Sequence, residues 1–332
     1  MGARYHPRMR AESTYTVRLD PWAADYEGGL GMVESEDEPF AEVDTSVETD
    51  DWRPLRPAPG PPPATIAFVD GVRRIEHRLL VESESRTVFG LLGSFAVGAT
   101  QVDQRARVTH ESVERVACVG GGVSLSRLDA PVPGGRQTIS FAPQATPENT
   151  PVAAVQCLQN SMRRREAELA GALAAGSSLV FLDGPLTFVA DSVRPVVGFV
   201  KRLLRTYLPP KENAVLRRLA VGERTPLFLV KAQTPRYSWY VRLSSGRSID
   251  STLAGIARLE ASGAMGLPAA RALAETSARE LPRFASSPER DPRAPQNLYP
   301  IGGLETTLRH LLGDHMVVRR AIESRLHRAS WT

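Results

Sequence analysis

Runs of apolar residues divide the first part of the chain into short predicted strands. Residues 64–71, ATIAFVDG, are apolar and end in Asp-Gly, a pattern typical of a buried strand that closes in a turn. Residues 73–82 and 87–99 are rich in β-branched and apolar side chains and predict two further strands of a meander. Residues 177–184, SSLVFLDG, repeat the first pattern. We therefore expect two similar buried strands, each ending in an aspartate.

Helical periodicity is strongest in residues 152–175, and we expect a second helix over residues 191–207. Residues 102–122 fit either a strand or a helix, and beyond about residue 248 the pattern is helical with breaks. Two later strands are predicted at residues 227–231 and 238–243. This order of elements predicts an α/β fold in which helices flank a mixed sheet, with a helical C-terminal elaboration.

Composition excludes several classes of protein. Of the 332 residues, 42% are hydrophobic and 23% are charged, so the chain is neither disordered overall nor membrane-like. The longest uncharged apolar stretch, residues 87–102, is shorter than the roughly 20 residues that a membrane-spanning helix needs. The N-terminal residues contain no apolar segment of the kind that directs secretion. With only Cys118 and Cys157, the chain cannot build a disulfide framework or a zinc site of its own. We expect a cytoplasmic protein with no membrane partner.

Charge is segregated along the chain, although the formal net charge is only +4. Residues 19–52 contain twelve acidic residues and no Lys or Arg, which leaves +16 on the rest. We therefore predict an acidic N-terminal arm (residues 1–53), a proline-rich linker (54–63) and a basic body (64–328). A basic body is typical of a nucleic-acid binder, but arginine outnumbers lysine 38 to 3, and a coding bias would give the same excess. Three alternatives are open for the acidic arm. It docks on a basic surface of a partner, it covers the protein's own basic groove as a DNA mimic, or it is a solvated, disordered segment.

Three carboxylates are candidates for a shared site. Asp70 and Asp183 each follow a buried strand, and side chains at strand ends project into the crevice where α/β folds place their sites. Asp-Gly is also favourable turn chemistry, which is the alternative for either residue alone. Glu166 lies on the apolar stripe of the helix at 152–175, whereas Glu168 faces solvent. The alternatives for Glu166 are a metal ligand and a salt bridge to a neighbouring arginine.

Together, Asp70, Glu166 and Asp183 would form an all-oxygen site suited to one or two Mg²⁺ or Mn²⁺ ions. Such clusters activate water and stabilise a phosphodiester transition state. Lys201 is one of only three lysines in the chain and would place a compact ammonium near phosphate, with a surface lysine as the alternative.

Two histidines on the C-terminal helical segment are further candidates. His315 falls on the apolar stripe if the helix continues through Gly313, and a histidine there is more often a hydrogen-bonded core residue than a ligand. His310 flanks the stripe and would reach the edge of a site. The glycine-containing triplets at 120–122 and 133–135 match neither a Walker A motif nor a dinucleotide-binding fingerprint.

Taken together, these motifs resemble the NurA nuclease domain family. The resemblance covers about residues 62–328. The matching segments are IAFVDG, MRRREAELAGAL, SLVFLDGPL, VVGFVK, SWYVRL, IARLE and NLYPIGGLETTLRHLLGD. The two Asp-Gly strands with the glutamate helix between them are the most specific part of this set.

The resemblance implies an RNase H-like fold and a DNA endo- or exonuclease that depends on Mn²⁺ or Mg²⁺. Members of the family commonly act as homodimers beneath a hexameric HerA-type ATPase, which drives DNA through a central channel. The implied setting is DNA end processing in repair, or antiviral defence against foreign DNA.

The resemblance also implies a role for each candidate residue. Asp70 and Asp183 match the family's aspartates, and Glu166 best matches its helix glutamate. Lys201 matches the lysine after the second Asp-Gly strand and would stabilise charge on the phosphate. His310 matches the C-terminal histidine and would aid metal binding or proton transfer.

Two departures from the family pattern motivate other functions. Val72 follows Gly71 where the family often has serine, and His310 lies farther from the Tyr-Pro pair than the family's histidine does, with His315 as the alternative. A non-catalytic adaptor that guides DNA for the translocase would have such a degenerate RNase H-like site. A third hypothesis is an actin-like ATPase, which also uses Asp-Gly turns around phosphate, but the chain lacks the glycine-rich phosphate loops of that class.

Overall fold

One large sheet organises the molecule. The structure, a computed structural model, describes residues 16–19, 42–83, 85–176, 178–189, 192–201, 207–247, 249–287, 296–328 and 331. Within these residues, twelve strands join the sheet. In chain order, β1 to β12 are Thr16–Leu19, Glu42–Asp44, Ile66–Glu82, Thr87–Val102, Ala106–Val119, Leu128–Pro131, Thr138–Ala145, Leu179–Asp183, Val196–Val200, Phe228–Lys231, Arg236–Arg242 and Ile256–Ser262.

The sheet is mixed. Its strand order is β2-β10-β11-β12-β9-β8-β3-β4-β5-β7-β6, and β1 pairs with β3 beside this path. The β3–β8, β8–β9 and β5–β7 pairs are parallel, and the other pairs between the described strands are antiparallel. The predicted mixed α/β architecture is confirmed, and so are the two later strands, which are β10 and β11.

Strand β3 does not end at Asp70-Gly71, where the sequence predicts a turn. It continues to Glu82 and pairs with β4 along its whole length, with one irregularity between Ile75 and His77. The Asp-Gly pair does not form a turn here, because β4 pairs with the residues of β3 both before and after Gly71.

The helix predicted over residues 191–207 is wrong in its central part, which forms strand β9 between β8 and β12. Val196, Val197 and Phe199 are buried on both faces of the sheet. The sequence of a strand that is buried on both faces is a continuous run of apolar residues. Hydrophobic periodicity alone does not distinguish such a run from a buried helix. Strand β12 likewise lies within the region beyond residue 248 that is predicted to be helical. Residues 102–122, which fit either a strand or a helix, are mainly strand β5.

The described helices α1 to α5 are Pro151–Ala175, Pro210–Asn213, Leu267–Glu280, Tyr299–Leu311 and His315–Arg328. α1 agrees with the predicted helix and is capped by the Thr150 side chain, which accepts a hydrogen bond from the Ala153 N–H. α4 and α5 are separate helices, because Gly313 between them has a φ of +77°. The continuous helix that would place His315 on the stripe is therefore not formed. No helix in the described ranges is both long enough and apolar enough to cross a membrane.

Helices cover both faces of the sheet. On β3, Ala67 and Val69 pack in the core cluster that includes α1, whereas Ile66 and Phe68 pack in the cluster that includes α3. Because side chains alternate across a strand, these clusters lie on opposite faces.

The same alternation sorts the residues of the first Asp-Gly motif. Gly71 faces α1, whereas Asp70 and Val72 face the other side of the sheet. Helix α4 lies on that other side, since Leu304 and Leu308 pack against Val72. The Asp70 side chain therefore points to the face that α4 covers.

The last part of the acidic segment is built into the fold. β2 pairs with β10, and the Glu48 carboxylate lies 2.8 Å from the guanidinium of the fully buried Arg224. The predicted arm, residues 1–53, therefore includes one strand of the sheet, β2. Most of the predicted arm, residues 1–15 and 20–41, lies outside the described residues.

Candidate metal site

Two aspartates meet where the parallel pairing of β3 and β8 ends. Val69 on β3 lies opposite Leu182 on β8. The next residues on the two strands, Asp70 and Asp183, are therefore neighbours, and alternation directs both side chains to the α4 side. The sequence predicts this juxtaposition, although Asp70 reaches it from the interior of a long strand.

Glu305 on α4 joins the two aspartates, and we call Asp70, Asp183 and Glu305 the carboxylate cluster. One carboxylate oxygen of each residue lies within 4.8 Å of the others. Glu305 is only 5% exposed although it carries an ionisable group. The three residues come from two strands and a helix that are far apart in the chain.

Sequence analysis missed Glu305, although a signal for it exists. Glu305 lies four residues after Ile301 and three before Leu308, and both of these side chains are fully buried. This spacing puts Glu305 on the inward stripe of α4. The spacing that singles out Glu166 on α1 applies equally to Glu305.

Asp70 is in an environment that disfavours its negative charge. Its Oδ1 accepts a hydrogen bond from the Gly71 N–H at 2.8 Å, whereas its Oδ2 is buried without a hydrogen-bond partner among the described residues. Burial raises the pKa of Asp70 well above its usual range, and the neighbouring Asp183 raises the pKa further, while Lys201 opposes the shift. A buried carboxylate oxygen without a donor is costly, so this site favours a bound cation.

Lys201 lies against the cluster. Its Nζ is 2.7 Å from Oδ2 of Asp183 and donates a hydrogen bond to Oδ1 of Asn297 at 3.0 Å. Burial lowers the pKa of Lys201, but attraction to Asp183 and Asp70 outweighs burial, so its pKa is raised. The ammonium therefore stays charged at neutral pH, and its predicted contact with phosphate stays a prediction.

Glu166 approaches from the opposite face of the sheet. It is 4% exposed and lies over Gly71, where an added Cβ atom would be 2.5 Å from Oε1 of Glu166. Glu166 does not share the 4.8 Å cluster, because α1 and α4 cover different faces. Burial raises the pKa of Glu166 to about 7, Arg163 opposes this shift, and Asp183 adds to it. Glu166 therefore changes its protonation near neutral pH.

The structure places neither histidine in the cluster. His310 is exposed and lies five residues after Glu305, roughly 140° around the axis of α4. His315 begins α5, and its Nε2 is 3.6 Å from Oε2 of the fully buried Glu76. The third carboxylate of the cluster, Glu305, lies on the same helix as His310.

An open cavity of about 450 Å³ lies over the carboxylate cluster, and its walls include Arg73, Arg74 and Arg309. Arg309 donates a hydrogen bond to Oε2 of Glu305 at 3.0 Å, and Arg74 donates one to the carbonyl oxygen of Gly313 at 2.9 Å. The carboxylates thus open onto a space whose walls also carry guanidinium groups. Guanidinium groups are suited to bind the oxygens of an anionic substrate such as a phosphate.

The donor set of the cluster fits a hard divalent cation. Mg²⁺ and Mn²⁺ prefer carboxylate oxygens, and the cluster offers three of them with no sulfur or nitrogen ligand. Within the part of the chain that the structure describes, the buried Oδ2 of Asp70 also lacks the donor that a purely structural carboxylate would have. Asp70, Asp183 and Glu305 are the residues that would hold the ion.

Comparison with known proteins leaves the function to be inferred from this geometry. No family model matches the chain, and none of the curated proteins matches it. Among solved structures, the crystal structure of the NurA nuclease from Sulfolobus solfataricus aligns with 83% of this chain and 88% of that chain. The identity is 11% and the TM-score is 0.45, a likeness too loose to carry fold or activity across.

Proposed function

We propose that this protein is a divalent-cation-dependent nuclease that hydrolyses phosphodiester bonds in DNA. The carboxylate cluster beneath an arginine-walled cavity is the observation that carries the proposal. Acidic clusters bind Mg²⁺ or Mn²⁺, and guanidinium groups bind phosphate oxygens. The NurA-like sequence motifs favour the same function and an RNase H-like arrangement of the sheet.

Each group in the cavity has a role that follows from its position. Asp70, Asp183 and Glu305 would hold one or two cations. When bound, a divalent cation at this position supplies Lewis acidity and a water of lowered pKa. Arg74 and Arg309, whose guanidinium groups lie on the α4 side of the sheet, would bind the phosphates of the DNA strand and so place the scissile bond over the cluster.

Two further groups act on the charge of the cluster. Lys201 orients the Asp183 carboxylate through their 2.7 Å contact and would stabilise charge on the phosphate. Glu166 raises the pKa of Asp70 by repulsion, so its ionised form adds negative charge beside the cation position. We assign no role in the reaction to His310, which lies outside the cluster.

The test is cleavage of linear duplex and single-stranded DNA by the full chain with Mn²⁺, Mg²⁺ or excess EDTA. Cleavage should require the cation, and Asp183→Asn and Glu305→Gln should each lower the rate by about 10²-fold or more, because each removes a charged ligand. Glu168→Gln is the matched control, since Glu168 is exposed on α1 and pairs with Arg165. It should cleave at the wild-type rate.

Two results would contradict these assignments. Undiminished cleavage by Asp183→Asn would exclude the cluster as the active site. Full activity of Glu305→Gln together with loss of activity in His310→Ala would replace Glu305 by His310 in the proposed site.

We also propose, from the motif resemblance, a homodimer that works with a hexameric HerA-type ATPase in the cytoplasm, in DNA end processing or defence. The proposed catalytic body extends to about residue 328 and includes β2. Co-elution with the ATPase and stimulation of cleavage by it would support this assembly.

A non-catalytic adaptor is the second candidate function. The long spacing between Pro300 and His310 and the valine at residue 72 favour it, because both depart from the family pattern. His310 is also exposed, outside the cluster. Co-elution with the ATPase and DNA binding, without cleavage in Mn²⁺ even when the ATPase is present, would identify the adaptor.

A further inference from the structure

Lys201 links the two chain segments that carry the carboxylate cluster. Its Nζ contacts Asp183 at the end of β8 and also donates to the side chain of Asn297. Asn297 is fully buried and lies two residues before the start of α4, the helix that carries Glu305. The ammonium is thus held from two sides, and the Lys201 side chain is only 17% exposed.

The Lys201 ammonium and a divalent cation require the same carboxylates. Asp183 is at once the partner of Nζ and a member of the cluster. Lys201 is also attracted to Asp70 and Glu305, so its charge acts on all three carboxylates. A cation bound to these oxygens at roughly 2.0–2.5 Å would lie close enough to the ammonium for strong repulsion.

We infer that Lys201 is an internal counter-ion of the carboxylate cluster, which competes with the divalent cation for Asp183 and weakens cation binding in the absence of substrate. This inference rests on the proposed function, because it takes the cluster to be a cation site. Lysine suits the role better than the arginine that dominates this chain. A compact ammonium on a flexible stem can move from Asp183 toward the cavity, whereas a planar guanidinium would hold the carboxylate in a bidentate grip.

A consequence follows for substrate binding. A DNA phosphate in the cavity would attract the ammonium away from Asp183 and release that carboxylate for the cation. Cation and DNA should therefore strengthen each other's binding, by the same factor in both directions.

The experiment is calorimetric titration of the EDTA-treated and desalted full chain with MnCl₂ at pH 7.5. Lys201→Met and Lys201→Gln should each bind Mn²⁺ at least roughly tenfold more tightly than wild type, because a repelling positive charge is removed. Asp183→Asn identifies the part of the signal that belongs to the cluster. Lys231→Met is the matched control, since Lys231 forms an exposed 2.7 Å pair with Glu42 on another strand. Its Mn²⁺ affinity should equal that of wild type.

The outcomes separate the inference from the nuclease proposal. Wild-type Mn²⁺ binding with equal or weaker binding by both Lys201 variants overturns the counter-ion role and leaves the nuclease proposal standing. Absence of binding in wild type and in both Lys201 variants overturns the metal site and the nuclease proposal with it. Circular dichroism in EDTA identifies a variant that has not folded, and the other Lys201 variant then decides.

Discussion

Glu166 is a buried carboxyl group whose pKa of about 7 makes the protein's stability depend on pH. Burial is the main cause of the shift from 4.5, so the folded protein binds this proton more strongly than the unfolded chain does. The stability that this proton contributes is fully present below pH 4.5. It is lost as the pH rises through about 7, where the buried side chain must ionise.

At the scale of this residue, we predict that Glu166→Gln raises the free energy of unfolding of the metal-free protein more at pH 8 than at pH 5. The difference between the two pH values should be about 2 kcal/mol, because a neutral amide never bears the buried charge. Urea unfolding in EDTA measures it. Glu168→Gln should give the same small change at both pH values, and a pH-independent effect of Glu166→Gln would contradict the shifted pKa.

At the scale of elements, a glycine makes room on strand β3 for two side chains of helix α1. An added Cβ atom on Gly71 would lie 2.5 Å from Oε1 of Glu166 and 2.9 Å from Cγ of Met162. Both distances are too short for real contacts, so any larger residue would force the Glu166 and Met162 side chains out of their packed positions.

We therefore predict that Gly71→Ala destabilises the protein by about 1–3 kcal/mol, the usual range for overpacking a buried site. Gly303→Ala is the matched control, because a Cβ atom on Gly303 within α4 meets nothing within 4 Å. That substitution should be neutral or stabilising by up to about 1 kcal/mol, since alanine is the better helix former. Thermal and urea unfolding of both variants test the pair, and equal effects would contradict the close packing of α1 on β3.

At the scale of the whole molecule, the acidic segment is anchored to the body through a buried arginine. Arg224 is fully buried and lies 2.8 Å from the carboxylate of Glu48, with Glu275 as a second partner. Glu48 also accepts a hydrogen bond from the backbone N–H of Leu227 at 2.7 Å. The segment therefore contributes a buried ion pair to the fold and not only surface charge.

We predict that Glu48→Ala destabilises the protein by about 3–5 kcal/mol, because it leaves the Arg224 charge buried with one partner fewer. Glu42→Ala in the same segment removes an exposed ion pair with Lys231 and should leave stability nearly unchanged. Urea unfolding compares the two variants. A mild effect of Glu48→Ala would show that the acidic segment does not hold the sheet together.

Much of the fold and part of the site could be predicted from the sequence. Helix α1 follows from the 3.6-residue period of its apolar side chains, and the strands that contain Asp70 and Asp183 follow from short runs of apolar residues. Both patterns involve only neighbours within a few residues. The inward position of Glu166 follows from the same spacing and agrees with its burial.

Contacts between distant segments account for the rest. Strand β9 is apolar on both sides because it lies inside the sheet and a core cluster packs on each of its faces, and no local period expresses that. Glu305 joins Asp70 and Asp183 only because the register of β3 with β8 and the docking of α4 bring residues more than 100 positions apart to one face of the sheet. Local patterning therefore establishes which carboxylates turn inward, since it depends on the periodic burial of side chains. Which of those carboxylates meet depends on strand register and helix packing, since these contacts join segments that no sequence period relates.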